Sequence, residues 1–220
     1  SLKTRVIIKR KLLLNLKFYL QKYNNKQTLI ILDNFFKNNK TKLKYLDKSL
    51  SFIKNKEIIF NQSSEPTFDD LRNIMSKIKK KSPTLIISIG GGSTIDIGKG
   101  LSVALKYKGG IENLQGQDKF NYATIPMVSV PSIFGSGAEV TPSAVFINKK
   151  INIKGGINSN LIQPELALLD PYLVKSKNYT QHVICAFDAL VHSIESFHST
   201  IANDFTKLMS IKGASLILQG

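Results

Sequence analysis

Three consecutive glycines, Gly90–Gly92, stand between an apolar run and a segment compatible with a helix. The apolar run at residues 85–89 predicts a buried strand, so the order is strand, glycine turn and helix. Glycines let the chain turn sharply, and the unpaired first-turn N–H groups of the helix then face an approaching anion. Ser93 adds a hydroxyl donor, and Asp96 and Lys99 share one helical face. The spacing predicts a binding site for a phosphorylated cofactor.

Three glycines alone are also compatible with a turn that only connects two elements. The pattern is not the dinucleotide fingerprint G-x-G-x-x-G, because no glycine follows at the third spacing. It is not a P-loop either, since no Gly-Lys-Ser/Thr closes the turn. A different kind of phosphate-binding turn is therefore needed to explain it.

A second segment rich in glycine and hydroxyl residues, 131–141, follows a strand candidate at residues 127–130. Ser132 and Thr141 offer hydroxyl groups, and small residues would let the backbone lie flat against a ligand. In an open parallel sheet, ligands bind at the edge where the strands end. Both glycine segments follow strand ends, so we expect them at the same edge. As an isolated motif, the second segment is also compatible with an ordinary loop.

Asp33 directly follows the strand candidate at residues 28–32. An acidic side chain at this end of a strand accepts hydrogen bonds from a ribose diol and repels a phosphate attached there. The alternative is that Asp33 caps the helix that follows. The sequence leaves both interpretations open.

Asp188 and His192 lie four residues apart on a predicted helix and therefore on one face. This spacing brings an oxygen and a nitrogen ligand to one divalent metal, and Glu195 would orient His192. The alternative is a salt bridge or hydrogen bond within the helix. Two ligands are too few for a metal site, so others must come from elsewhere. We expect His182 and His198 to be ordinary, partly exposed residues.

The elements that position these residues alternate between strands and helices. Strands are predicted at 28–32, 57–60, 84–89, 122–125, 127–130, 144–147 and 167–169, and helices from 34 to about 51 and at 69–81, 93–107, 188–197 and 205–218. This alternation predicts βαβ units, hence an α/β fold with a mainly parallel sheet. We expect an α/β domain over residues 1–175 and the incomplete beginning of a helical domain over residues 176–220.

Composition limits the remaining function classes. The formal net charge is +16, but the lysines are spread along the chain, with local clusters at residues 9–11 and 79–81. This distribution favours a solvated lysine-rich surface over a nucleic-acid interface. No apolar run approaches the roughly 20 residues of a membrane span, and the N-terminus lacks the pattern of a secretory signal. The single cysteine, Cys185, excludes an internal disulfide, so a cytoplasmic location is predicted.

Taken in chain order, four motifs resemble those of the iron-containing (group III) alcohol dehydrogenase family. Residues 90–99, Gly-Gly-Gly-Ser-x-x-Asp-x-x-Lys, resemble its pyrophosphate loop, and residues 131–141 resemble its Pro-Thr-Thr-x-Gly-Thr-Gly-Ser-Glu-Val-Thr segment. Residues 169–171 resemble its Asp-Pro signature, and residues 188–195 resemble its metal-binding helix. The correspondence covers nearly the whole chain.

The resemblance implies a Rossmann-like domain followed by the start of an all-helical metal-binding domain, and an alcohol dehydrogenase that transfers hydride to or from nicotinamide. Asp33 would favour NAD over NADP. The implied metal, Fe²⁺ or Zn²⁺, would be held by Asp188 and His192 and by two histidines that lie further along the family's chains. The implied cofactor-binding residues are Asp33, Gly91, Gly92, Ser93, Asp96, Ser132, Thr141 and Lys154.

Some residues depart from the family pattern. Ser132-Ile133 replaces Thr-Thr, and Gly135–Glu139 is Gly-Ser-Gly-Ala-Glu instead of Gly-Thr-Gly-Ser-Glu. Residues 154–160 with residues 65–67 resemble the 3-deoxy-manno-octulosonate 8-oxidase branch, which acts on a sugar acid.

The predicted partners are a small alcohol, aldehyde or sugar acid and a second copy of the chain, without nucleic acid or membrane. With two metal ligands absent, we expect little activity from these residues alone. Alternative hypotheses are a glycerol dehydrogenase or dehydroquinate synthase-like enzyme, a basic nucleic-acid-binding protein and an inactive remnant.

Overall fold

A computed structural model describes residues 3–23, 27–79, 83–174 and 179–219. The chain divides into two compact units. The first contains Ser1–Ser132 and Ala138–Val174, and the second contains Ile133–Gly137 and Lys175–Gly220. The predicted domain boundary between residues 175 and 176 lies outside the described residues, as do two of the three lysines in the cluster at 79–81.

The first unit is built on a parallel sheet of six strands. Its described strands are β1 (Arg5–Ile8), β2 (Thr28–Asp33), β3 (Lys56–Asn61), β4 (Leu85–Gly90), β6 (Met127–Pro131) and β9 (Leu166–Leu169). They are hydrogen-bonded in the order β1-β9-β6-β4-β2-β3, and every neighbouring pair is parallel. The predicted α/β fold with a parallel sheet is therefore confirmed.

A smaller sheet lies in the same unit, where β5 (Gly116–Gln117) runs parallel to β8 (Ile153–Asn158). Strand β7 (Ser143–Asn148) runs antiparallel to β8 and forms a hairpin with it. This hairpin carries the residues that follow the second glycine segment.

Helices cover both faces of the parallel sheet. The α-helices of the first unit are α1 (Leu16–Tyr19), α2 (Phe35–Asn38), α3 (Lys40–Leu50), α4 (Phe68–Lys77) and α5 (Gly92–Ala104). Short 3₁₀ helices cover Leu12–Asn15, Gln21–Tyr23, Ile111–Leu114, Asn160–Ile162 and Pro171–Leu173. Successive strand residues point to opposite faces, so Leu29 and Ile31 join the core under α4 and α5, whereas Ile30 and Leu32 join the core under α3.

The strand order reverses between β2 and β4. From β2 the chain passes outward to β3, and it then crosses back to place β4 on the other side of β2. In open α/β sheets, ligands bind in the crevice outside the carboxyl ends of the strands at such a switch point. Asp33 is the last residue of β2, and Gly90 is the last residue of β4. The topology therefore places both residues at the expected ligand edge.

The second unit contains helices α6 (Tyr179–His198) and α7 (Asp204–Gln219), which pack against each other. The glycine segment Ile133–Gly137 belongs to this unit. Gly135 has a φ of 137°, and a β-carbon there would lie 2.5 Å from the carbonyl oxygen of Cys185. Only glycine fits this position without strain, because both the backbone conformation and the contact exclude a side chain. None of the described helices is long and apolar enough to span a membrane.

One predicted strand is wrong, and some of the observed strands were not predicted. Residues 122–125 do not form a strand, because Ile125 N bonds to Ser102 O and Tyr122 Oη donates to Val103 O at the end of α5. Strand β1 was not predicted, since its side chains are mostly exposed and lack an apolar alternation. Strand β8 was not predicted either, because two adjacent glycines weaken its β propensity and pairing with β7 stabilises it.

Candidate functional site: a glycine turn at the sheet edge

The glycine turn joins β4 directly to α5. Gly90 ends the strand, Gly91 is the N-cap residue and Gly92 begins the helix. Gly91 has an extended conformation (φ −75°, ψ −176°), and no side chain caps the helix. The first-turn N–H groups are thus left without a side-chain acceptor at the positive end of a 13-residue helix. This arrangement fits an anion such as a pyrophosphate.

Gly90 is required by close packing rather than by an unusual backbone angle. A β-carbon there would lie 2.7 Å from both Cβ and Oγ1 of Thr94 and 2.8 Å from Cβ of Asp33. The backbone of the turn therefore lies directly against the end of β2. This contact brings the predicted ribose-binding carboxylate beside the predicted phosphate-binding turn.

Asp33 has a structural contact of its own. Its Oδ1 accepts a hydrogen bond of 2.8 Å from the amide of Phe35, at the start of α2. Asp33 thus contacts the first amide of α2 from the end of β2, but the N-cap residue of this helix is Asn34, so the predicted N-cap position of Asp33 is wrong. A ribose contact by the same side chain stays a prediction, and the bond from Phe35 orients the carboxylate at the strand end.

Two buried oxygen atoms at the ends of strands have no hydrogen-bond partner among the described residues: Ser132 Oγ and Asn34 Oδ1. Ser132 is fully buried and directly follows β6, and Asn34 directly follows β2. Buried polar atoms are rarely left unpaired, so each such atom calls for a partner. Both residues follow strands that end at the switch-point edge, which fits a polar ligand there. Asn34 was missed from sequence, although its place directly after Asp33 was a signal.

Asp96 and Lys99 contact the hairpin instead of the turn. Asp96 Oδ2 accepts a bond of 3.1 Å from the amide of Val145, and Lys99 Nζ donates to Thr141 Oγ1 (3.1 Å) and to Ser143 O (2.6 Å). The two side chains themselves lie 3.9 Å apart. The spacing of the two residues predicted that they share one helical face. It did not predict that this face contacts residues 141–145.

Burial shifts the pKa values in this cluster. Burial raises the pKa of Asp96 to about 6, although the charge of Lys99 and the amide of Val145 oppose the shift. Burial also lowers the pKa of Lys99 to about 8, with Asp96 and Glu139 opposing that shift. The pKa of Glu139 is raised, again chiefly by burial. Loss of hydration therefore determines the direction of all three pKa shifts and outweighs the attraction between the opposite charges.

Lys154 lies on β8, where its Nζ pairs with Glu65 Oε1 at 2.9 Å. Both side chains are more than half exposed. The contact that the structure gives Lys154 is this surface ion pair, and its predicted role beside the nicotinamide ribose stays a prediction.

The predicted metal ligands lie in the second unit, on α6. His192 Nε2 is 3.9 Å from Asp188 Oδ1, and both side chains are about half exposed. One carboxylate oxygen and one imidazole nitrogen on the same helical face fit part of the shell of a divalent ion. Among the described residues, no group of three or more His, Cys, Asp or Glu side chains is placed to hold a metal. The pair fits the metal as a partial ligand set.

Comparisons with known proteins identify the family of the chain. A family model for "Iron-containing alcohol dehydrogenase" matches residues 3–171 of the chain. An alcohol dehydrogenase of Thermococcus barophilus is 30% identical over 184 residues, which are 79% of this chain and 48% of that protein. A 4-hydroxybutyrate dehydrogenase of Clostridium kluyveri is 36% identical over 163 residues, covering 71% of this chain and 42% of that protein.

Solved structures share the fold. An iron-containing alcohol dehydrogenase of Thermotoga maritima superposes with a TM-score of 0.88 at 24% identity, over 100% of this chain and 60% of that one. The sulfoacetaldehyde reductase of Bifidobacterium kashiwanohense, solved with NAD⁺, has a TM-score of 0.87 at 20% identity, over 100% of this chain and 58% of that one.

These matches define a Rossmann-like enzyme fold, and the chain belongs to the iron-containing alcohol dehydrogenase family. The resemblance drawn from the four motifs is thereby confirmed. The chain spans about half the length of the curated relatives that it matches.

Proposed function

We propose that this chain provides the cofactor-binding part and two metal ligands of an NAD-linked, metal-dependent alcohol dehydrogenase. The observation that carries the proposal is the contact between Asp33 and the glycine turn at the switch point. A carboxylate there accepts hydrogen bonds from the two ribose hydroxyls of NAD. The same carboxylate repels the 2′-phosphate of NADP, so NAD is the preferred cofactor.

Each part of the edge has a role in this proposal. The first-turn amides of residues 91–93 hold the pyrophosphate, and the buried hydroxyl of Ser132 supplies a partner for a polar group of the cofactor. Thr141 and Asp96 lie along the cofactor. Lys154 contacts the nicotinamide ribose. To do so, its side chain would leave its surface partner Glu65.

Asp188 and His192 are proposed as the oxygen and nitrogen ligands of Fe²⁺ or Zn²⁺. When bound, the metal polarises the oxygen of the alcohol or carbonyl group while hydride passes between carbon and nicotinamide. Because the described residues contain no third ligand group, the remaining ligands come from elsewhere. We therefore expect these residues alone to catalyse little.

The substrate class rests on the relatives and on one contact. Relatives carry the names 4-hydroxybutyrate dehydrogenase and, in Citrobacter freundii, 1,3-propanediol dehydrogenase, which supports a small alcohol or aldehyde as substrate. The sugar-acid branch was predicted from residues 65–67 and 154–160. The pairing of Glu65 with Lys154 brings these two segments together, and the sugar acid stays a second candidate on the resemblance alone.

The remaining expectations concern partners and location. We expect a homodimer, on the resemblance, and a cytoplasmic location, since the one cysteine does not suggest an oxidising compartment. Nucleic acid is not an expected partner despite the net charge of +16.

Titration of the 220-residue chain with NADH, followed by fluorescence, tests the proposal. We expect saturable binding, weaker binding of NADPH, and no competition from duplex DNA at 150 mM salt. The basic nucleic-acid-binding hypothesis would instead be supported if the chain bound no NADH and bound DNA tightly, with an affinity that falls steeply as salt is added.

Activity assays with added Fe²⁺ or Zn²⁺ complete the test. Alcohol oxidation at the rate of a complete enzyme would show that the expected shortage of metal ligands is wrong. Turnover of glycerol or cyclisation chemistry in place of simple alcohol oxidation would favour the glycerol dehydrogenase or dehydroquinate synthase-like alternative.

A further inference from the structure

Lys99 is a fully buried lysine that the cofactor site described above does not use. Its side chain is 0% exposed, although lysine is among the residues that are almost never fully buried. A buried ammonium group is costly unless hydrogen bonds replace its water. The contacts that replace water at this position should therefore indicate why a lysine is present.

Those contacts all lead to one segment. Lys99 Nζ donates to Thr141 Oγ1 at 3.1 Å and to Ser143 O at 2.6 Å. Asp96, one helical turn earlier, accepts from the amide of Val145 at 3.1 Å. One face of α5 thus holds residues 141–145, which lead from the second glycine segment into β7.

The bond to Thr141 has a fixed direction. An ammonium group has three hydrogen-bond donors and no acceptor, so Thr141 Oγ1 must be the acceptor. The hydroxyl hydrogen of Thr141 then points away from Lys99, toward some other acceptor. A neutral, apolar side chain at position 99 would leave this hydrogen free to rotate.

We propose that Lys99 is a positioning residue of the cofactor site, which holds the Thr141 hydroxyl as a hydrogen-bond donor to an oxygen acceptor of the bound dinucleotide. Lys99 acts through Thr141 and does not touch the cofactor. The inference rests on the proposed function, because Thr141 is one of the residues proposed to lie along NAD. The inference adds Lys99 to the residues on which cofactor binding depends, although Lys99 lies outside the glycine turn.

A purely structural role explains the lysine less well. A buried ion pair is weak evidence for stability, since well-packed apolar residues often replace such pairs without loss. The nearest carboxylate oxygen of Asp96 is also 3.9 Å from Nζ, beyond hydrogen-bond distance. Besides its bond to the carbonyl oxygen of Ser143, the lysine provides a directed N–H donor to Thr141.

NADH affinity of the 220-residue chain, measured by fluorescence titration well below the unfolding temperature, tests the inference. Lys99→Met keeps the length of the side chain and removes the donor, and we expect the Kd to rise about tenfold, which corresponds to the loss of one directed hydrogen bond. Lys106→Met is the matched control. Lys106 Nζ donates to the carbonyl oxygens of Ala123 and Thr124, away from Thr141, so the Kd of this variant for NADH should be unchanged.

A double-mutant cycle tests whether Lys99 acts through Thr141. Thr141→Val should raise the Kd about as much as Lys99→Met, and the double variant should lose no more than either single variant. Thr141→Ser keeps the hydroxyl and should restore the affinity. Losses that multiply to about a hundredfold in the double variant would overturn the inference, because the two residues would then act independently.

Other outcomes also decide the matter. An unchanged Kd in Lys99→Met with a lower unfolding temperature would show a structural role only and overturn the inference. If Lys99→Met does not fold, Lys99→Leu, which also lacks a donor, replaces it in the same cycle: a loss of threefold or more that disappears in the Thr141→Val background supports the inference, and equal affinities overturn it. No NADH binding by the unmodified chain would overturn the proposed function together with the inference.

Discussion

The amide of Ser132 donates a hydrogen bond of 2.8 Å to the carbonyl oxygen of Gly90. This bond joins the ends of β4 and β6, where the two glycine segments begin, and it continues the pairing of Gly90 with Pro131. The first and second segments are more than thirty residues apart in the chain. The bond therefore holds the glycine turn and Ser132 next to each other at one edge of the sheet.

The packing around Gly90 predicts that Gly90→Ala destabilises the protein. The added methyl group would overlap Thr94 and Asp33, and overpacking of this kind costs about 1–3 kcal/mol of unfolding free energy. The backbone of the turn would also shift, so NADH affinity should fall. Gly110→Ala is the control, because a β-carbon there would lie 3.8 Å from Asn113 Nδ2 and 3.9 Å from Glu112 Oε2, which are ordinary contact distances. Urea denaturation measures the difference, and equal stability of the two variants would contradict the prediction.

Ser132→Ala should move stability and affinity in opposite directions. Its hydroxyl is buried and unpaired among the described residues. Removing it should therefore raise the free energy of unfolding of the free protein by about 1 kcal/mol. Binding should weaken, because the hydroxyl is proposed to pair with the cofactor. Ser88→Ala is the matched control: Ser88 Oγ is likewise buried and unpaired, but it lies within β4. Thermal unfolding and NADH titration of both variants check this, and a loss of affinity in Ser88→Ala as well would argue against a specific contact.

The sequence allowed the local parts of this edge to be predicted, because their signals are local. The apolar run before Gly90 indicates a buried strand, the glycines indicate a turn, and Asp33 follows its strand directly. Strand β8 was not predicted, and a strand was wrongly predicted at residues 122–125, for one common reason. In both places, distant partners decide the conformation: β7 pairs with β8, and the end of α5 takes the hydrogen bonds of the segment.

The contacts of the site could be predicted less well than its elements. Lys99 donates to residues 42 and 44 positions away, and no periodicity indicates which segment a buried lysine will face. The unpaired oxygen of Asn34 is also visible only when its surroundings are folded. Residue type and spacing therefore predicted which residues lie at the ligand edge of the sheet. The hydrogen bonds that hold them depend on tertiary packing.

Asp33→Asn should shift cofactor preference toward NADP. Asparagine keeps an oxygen acceptor for the amide of Phe35 but removes the charge that repels a 2′-phosphate. The ratio of NADP to NAD affinity should rise about tenfold, equivalent to about 1.4 kcal/mol. Asp47→Asn, an exposed change on α3, removes the same charge elsewhere and serves as control. Titrations with NADH and NADPH measure the ratio, and equal ratios in both variants would leave Asp33 only its contact with the amide of Phe35.

Metal binding by the chain should depend on Asp188 and His192. We expect Co²⁺, used as a spectroscopic probe, to bind weakly, because the pair provides only part of a coordination shell. His192→Ala and Asp188→Asn should each weaken binding by about tenfold or more, as changes near a metal commonly do. His198→Ala, at the end of the same helix, should leave it unchanged. Equal Co²⁺ affinity in all four proteins would show that the ion binds elsewhere.

The raised pKa of Asp96 predicts that the free energy of unfolding depends on pH. Burial raises the pKa of its carboxyl group from 3.8 to about 6. Between these two values the folded protein holds a proton that the unfolded chain has released, so the Asp96 contribution to the free energy of unfolding falls as the pH rises. Lys99 acts in a separate range: burial lowers its pKa from 10.5 to about 8, so its contribution makes stability rise with pH between those values.

Asp96→Asn isolates the first effect, because asparagine does not titrate and keeps an oxygen acceptor for the amide of Val145. The stability of the variant relative to the unmodified protein should increase by about 2 kcal/mol between pH 4 and pH 7. Glu112, whose pKa is lowered to about 2 by Lys150 and Arg72, titrates in both proteins and cancels in the difference. Urea denaturation at several pH values measures it. A difference that stays constant from pH 4 to pH 7 would mean that Asp96 releases its proton as easily in the folded protein as in the unfolded chain.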